Sequence, residues 1–189
     1  MSTQPALPRA NALLASTASP GDKRIDDPAE PTEPRRPAAY AAWRPTQAAA
    51  ALGLAGEYLS TKPAFARLPF GEWSRTLFWQ TARSHYVFAI EANQRIVGFL
   101  GWALTDAQLA QSWLKGASGL SNDQCLAGEC VIVNAWAADS AAANDFLYEV
   151  ASKLFAGASA VYFKRHYSDG RERAVRLAVA RHRRTGKRP

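Results

Sequence analysis

At Ser84 the apolar residues change their spacing, and the change sets the fold class. Before it they recur three and four residues apart. Thr46 is placed to cap a helix running through Ser60, with Ala50, Leu52, Leu54 and Leu59 among its apolar residues. Gly53 and Gly56 weaken that helix and leave room for a close backbone approach. Lys62 to Pro69 reads as a loop bracketed by Pro63 and Pro69. A second helix is predicted over 71–83, where Trp73, Leu77 and Phe78 share a face. After Ser84 come short apolar runs separated by turn residues. His85 to Glu91 reads as a strand, Ala92-Asn93-Gln94 as its turn, and Arg95 to Ala103 as a second strand, so the two form a hairpin.

Asp106 is placed to cap a helix to Lys115 that carries Leu109, Trp113 and Leu114, and Gly116 to Asp123 is a polar loop. Cys130 to Asn134 is a third strand, apolar enough to be central. Ser140 is placed to cap a helix to Phe155 with Phe146, Leu147, Val150 and Leu154 inward. Ala160 to Lys164 is a fourth strand, and Arg171 to Arg184 a final basic helix. A hairpin followed by a strand–helix–strand unit gives an α/β fold, a mixed sheet with helices on both faces. Acyltransferases of the Gcn5-related type share this order of elements, a likeness of fold rather than of function.

Charge divides the 189 residues unevenly. Lys164 to Pro189 holds ten Lys and Arg against Asp169 and Glu172, whereas the whole chain is only +7. A basic tail suits an acidic partner, or nucleic acid through counterion release. No aromatic residue follows Tyr167, so stacking on bases is not expected of it. Residues 1–38 hold seven of the eleven prolines and no aromatic residue, and a segment unable to bury apolar surface is expected to be disordered. The expected organisation is a Pro-rich segment over 1–38, a folded unit over 39–170, and a basic helix and tail over 171–189. No stretch approaches the ~20 apolar residues of a membrane helix, and Met1 to Asn11 lacks the charged-then-apolar order of a secretory signal. A cytoplasmic address follows as the expectation. Cys125 and Cys130 are then reduced thiols, too few for a disulfide scaffold or a four-ligand zinc site.

Among the residues able to do chemistry, three histidines stand out. His182 lies among arginines and His166 follows Lys164-Arg165, which leaves His85, at the start of the first strand, as the candidate general base. Its ordinary role would be that of a satisfied polar residue at a strand end. Cys125 paired with His85 would make a nucleophile, although no local signature marks one, and Cys130 reads as core. The six tryptophans, Trp43, Trp73, Trp79, Trp102, Trp113 and Trp136, read mainly as core residues that can also line an apolar pocket. No phosphate loop, dinucleotide fingerprint or metal-ligand spacing occurs, and no glycine loop follows Asn134 to cradle a pyrophosphate. No bound cofactor or metal is expected.

From Leu52-Gly53 to Arg165 the chain resembles the RTX toxin-activating lysine acyltransferases, the haemolysin-activating family. The likeness rests on Leu52-Gly53, on Ser60 to Pro63 and the loop to Pro69, on Arg95 to Ala103 with Gly101 where serine is usual, on Leu126-Ala127-Gly128-Glu129, on Val131 to Asn134 and on Leu147-Tyr148 through Phe155. The resemblance implies a modified Gcn5-type fold. It also implies a cytoplasmic enzyme that moves a fatty acyl group from acyl carrier protein to a lysine of a protein substrate, an RTX-type protoxin. It places the family's active-site histidine on Phe65 and its partner aspartate on Asn134; phenylalanine cannot accept a proton, and asparagine supplies no negative charge to orient or stabilise an imidazolium. The work then falls to substitutes: His85, Glu129 or Asp139 as base, and Asn134 as a hydrogen-bond donor to the oxyanion. Two other roles fit the same residues. One is a non-catalytic adaptor or chaperone for a secreted partner; the other is a scaffold for a nucleic-acid-binding tail. A homodimer is left open.

Overall fold

The computed structural model describes residues 40–116, 119–166 and 171–179. All of them belong to the unit spanning Pro37–Pro189. The expected Pro-rich segment, His182 and the end of the basic tail lie outside the described residues.

One six-stranded sheet organises the fold, with its strands in chain order: β1 (Ala41–Trp43), β2 (Tyr86–Ile90), β3 (Ile96–Thr105), β4 (Cys130–Ala138), β5 (Ala160–His166) and β6 (Glu172–Ala178). The pairs β1–β2, β2–β3, β3–β4 and β5–β6 are antiparallel, and β4–β5 is parallel. The sheet is therefore mixed, as the hairpin and the strand–helix–strand order require. Among the described residues five α-helices cover it: α1 (Ala48–Ser60), α2 (Pro63–Ala66), α3 (Phe70–Ala82), α4 (Ala107–Leu114) and α5 (Ala141–Leu154). Among the described residues no helix is long and apolar enough to cross a membrane.

The faces follow from strand alternation. Phe88, Phe99 and Ala137 pack under α1 and α3 with Ala51, Ala55, Leu59 and Leu77. Ala103, Ile132 and Tyr162 continue that face under α4. Val87, Trp102, Val131 and Val133 face the other way, against Ala143, Leu147, Ala151 and Phe155 of α5 and its C-terminal end. The caps at Asp106 and Ser140 form as expected: each side chain accepts from the backbone N–H three residues on, in Leu109 and Ala143.

Several expectations are corrected. Over 172–178 the expected final helix is instead β6, seven residues in register with β5 and exposed along most of its length, so no burial alternation marks it in the sequence. Residues 180–184 lie outside the described ones. Gln47, not Thr46, precedes α1, with no side-chain cap. Among the described residues nothing beyond the helix's own backbone would come within 4 Å of a Cβ at Gly53 or Gly56, so neither serves a close approach by another element. The loop after Lys62 contains α2, started by Pro63 at its first turn. The face α3 turns inward holds Leu77, Gln80 and Thr81, and Phe78 is half exposed. Leu154 of α5 is also largely exposed. β1 was not anticipated, being three residues long and exposed. β4 runs four residues beyond Asn134.

Candidate active site

The parallel pairing of β4 with β5 stops early. Its register runs from Cys130↔Ala160 to Val133↔Phe163 and then ends, while β4 continues to Ala138 against β3 and β5 continues to His166 against β6. From Asn134 onward the β5-side edge of β4 has no strand partner among the described residues. At the same point β4 bulges: Trp102 pairs with Val133 and Gly101 with Ala135, leaving Asn134 as the extra residue. The bulge turns Asn134 to the α3 side, next to Ala135 rather than opposite it. There Gln80, fully buried in the last turns of α3, donates from Nε2 to Asn134 Oδ1. Gly101 makes this possible, because a Cβ there would stand 2.6–2.8 Å from the Gln80 amide atoms.

Beside the open stretch of β4 lies a cleft of about 460 Å³. Pro63, Ala64 and Phe65 of α2 wall one side, Trp136 to Ala138 of β4 form the floor, and Ser140 and Asn144 at the start of α5 close the other. Since α2 packs with α1 and α5 lies on the opposite face, the cleft reaches past the open β4 edge from one face to the other. Its surface is mostly apolar. The Trp136 indole N–H donates to Asn144 Oδ1 at 2.9 Å and its ring lies 4.9 Å from that of Tyr148, which fixes one wall.

Charged groups gather at the rim. Asp139, just after β4, accepts from Lys62 Nζ at 2.5 Å and from the Tyr58 hydroxyl at 2.9 Å, and Arg95 lies 3.8 Å away. The Lys62 ammonium also stands 4.1 Å from the centre of the Tyr58 ring. Burial, with the Asp139 hydrogen bond and charge, pushes the Tyr58 phenol well above its ordinary range, so it stays a donor. Asp139, a candidate base from sequence, is thus held in a network of donors that ties α1, α2 and the hairpin to the end of β4.

His85 and Asn134 do not converge. His85 precedes β2 on the α5 side, where its ring stacks on Trp102 at 5.8 Å and lines a separate pocket of about 420 Å³ with Arg44, Leu104, Val131 and Phe155. Asn134 faces α3, on the other side of the sheet. Burial first, then Arg83 and Arg44, lower the His85 pKa to about 4, so the imidazole is neutral at pH 7. Glu129 sits before the start of β4, five residues or about 16 Å of strand from Asn134. Cys125 is buried among the α4-side residues, and burial pushes its thiol up. Cys130 is core, as expected. Of the tryptophans, Trp102 is buried, Trp73, Trp113 and Trp136 are half-buried, and Trp43 and Trp79 are exposed. Sequence reasoning missed Gln80. A glutamine one helical turn from Leu77, on the face that also holds Thr81, was the available signal.

The bulged strand β4 of this mixed sheet thus parts from its parallel neighbour β5 beside an apolar cleft. The chain belongs to the RTX toxin acyltransferase family, the HlyC family, whose sequence model matches residues 44–180. No curated protein sequence gives a significant match. Among solved structures, the loading GNATL domain of CurA from Lyngbya majuscula is similar at 18% identity and a TM-score of 0.45, covering 69% of this chain and 68% of that one. The histone acetyltransferase HPA2 and related acetyltransferase from Corynebacterium glutamicum is similar at 16% identity and a TM-score of 0.40, covering 71% and 80%. Phe65, where the resemblance puts a histidine, lines the cleft, and Asn134, where it puts an aspartate, sits at the bulge.

Proposed function

We propose that this acyltransferase moves a fatty acyl group from acyl carrier protein to a lysine amine of a partner protein. The observation that carries the reading is the open edge of β4 beside an apolar cleft. Unpaired backbone N–H and C=O groups from Asn134 onward suit the amide-bearing arm of a carrier-bound thioester, and the cleft walls suit an acyl chain. Asn134, half-buried, has its Oδ1 taken by Gln80, whereas Nδ2 has no partner among the described residues, which leaves an N–H donor for the carbonyl oxygen of the thioester.

The reaction this arrangement supports is direct. The neutral amine attacks the thioester carbon and a C–N bond forms. Negative charge collects on the carbonyl oxygen, where the Asn134 amide stabilises it. The C–S bond then breaks, the thiolate leaves, and the nitrogen proton passes to solvent or to the thiolate. A thioester is already activated, so holding the two reactants in line supplies much of the rest. The amine loses its first proton to water, because the described residues lining the cleft include no imidazole and no carboxylate.

The test is mass spectrometry of a partner protein co-expressed with this chain, and of the same partner mixed with purified chain and acyl carrier protein charged with a fatty acid. A lysine carrying the acyl group is the expected result. Stable binding of the partner with every lysine unmodified would overturn the reading in favour of an adaptor.

A further inference from the structure

We propose that Gln80 is a positioning residue for acyl transfer, acting through Asn134 and made possible by Gly101. The inference rests on the acyl-transfer reading and adds a part to it. Gln80 is fully buried on α3, yet only half of its amide is used. Nε2 donates to Asn134 Oδ1, and Oε1 has no partner among the described residues. A buried acceptor left unpaired is destabilising. For packing alone, methionine or leucine would fill the same space without that cost. What the glutamine adds is the direction of the Asn134 amide. With Oδ1 held from the α3 side, Nδ2 is left free at the point where β4 and β5 part. Gly101 belongs to the same device, since a Cβ there would collide with Gln80 at 2.6–2.8 Å and push it off Asn134.

The experiment uses the full chain, hexadecanoyl acyl carrier protein as donor and Nα-acetyl-lysine amide as acceptor. Asn134→Ala is expected to lower kcat about 10²-fold, the usual loss of one oxyanion donor. Gln80→Met is expected to lower kcat at least about tenfold with the KM for the donor unchanged and the melting temperature equal or higher. Gly101→Ala should show the same kcat loss. The double variant Gln80→Met/Asn134→Ala should be no slower than Asn134→Ala alone, since the two residues act in series. Independently of activity, the Gln80 side-chain amide protons should exchange slowly with solvent in the wild type and fast in Asn134→Ala.

Losses that add in the double variant overturn the proposal, as does a Gln80→Met effect confined to KM. Fast amide exchange in the wild type would remove the contact itself. A wild type that transfers nothing from the thioester while the Gln80 amide stays protected overturns the acyl-transfer reading, and the catalytic role of Gln80 with it, but not the contact.

Discussion

Gly128 shows how one missing side chain joins two elements. Its φ of +150° lies in the region few L-residues adopt, and a Cβ there would fall 2.1 Å from the Thr105 backbone. The end of β3 and the entry to β4 touch through this glycine, so Gly128→Ala should destabilise the fold by more than about 1 kcal/mol, read as a lower urea midpoint. His85 works at the same scale through its charge. Its folded pKa of about 4 lies below the unfolded value of about 6.5, so the unfolded chain takes the proton first. The stability its neutral form confers is complete above pH 6.5 and is lost progressively as the pH falls toward 4. His85→Gln should therefore lose less stability than the wild type between pH 7 and pH 5, measured by urea midpoints at the two values. An equal loss in both proteins would assign the acid sensitivity elsewhere.

Among the elements, α4 and β6 teach opposite lessons. Asp106 was legible as a cap because its chemistry is local: the carboxylate reaches Leu109 N at 2.8 Å whatever the rest of the fold does. Asp106→Ala should cost about 1 kcal/mol of stability. β6 was not legible. Glu172 to Ala178 alternates weakly, and its arginines suit a helix as well as an edge strand that repels further pairing. Only the neighbouring β5, with Val161, Tyr162 and Phe163 offering a ladder, decides the matter. Ending the chain after Arg171 should strip that ladder and lower the melting temperature or bring aggregation. Ending it after Val179 should leave the sheet intact and remove Arg181, Arg183, Arg184, Lys187 and Arg188. The shorter cut should weaken binding to an acidic acyl carrier protein, most clearly at low salt. Equal melting temperatures for the two truncations would show that β6 contributes little.

At the scale of the whole molecule, the site depends on a separation. The sheet places the neutral imidazole of His85 on one side and the amide of Asn134 on the other, and the Asp139 carboxylate is bound by Lys62 and Tyr58 at the rim. Transfer by such a cleft should follow the protonation of the substrate rather than of the enzyme. A lysine near its ordinary pKa of about 10.4 gains about tenfold in neutral amine for each unit of pH below that value. Log kcat/KM should then rise with a slope near one from pH 7 to pH 9. A plateau near neutral pH would show that an enzyme group takes the proton.

Sequence by itself determined the element order from α3 to β5, the hairpin, the capped starts of α4 and α5 and the mixed sheet. These rest on periodicity, turn chemistry and caps, which act between residues a few positions apart. Its motifs also pointed to Phe65 and Asn134 as the positions of interest. Only the tertiary structure decided that His85 lies on the wrong side of the sheet to meet Asn134, that β4 parts from β5 at a bulge, and that Gln80 reaches over Gly101 to hold the asparagine. Each of those depends on which strand pairs with which and where the pairing stops. That is settled by contacts between residues tens of positions apart, which no local pattern encodes.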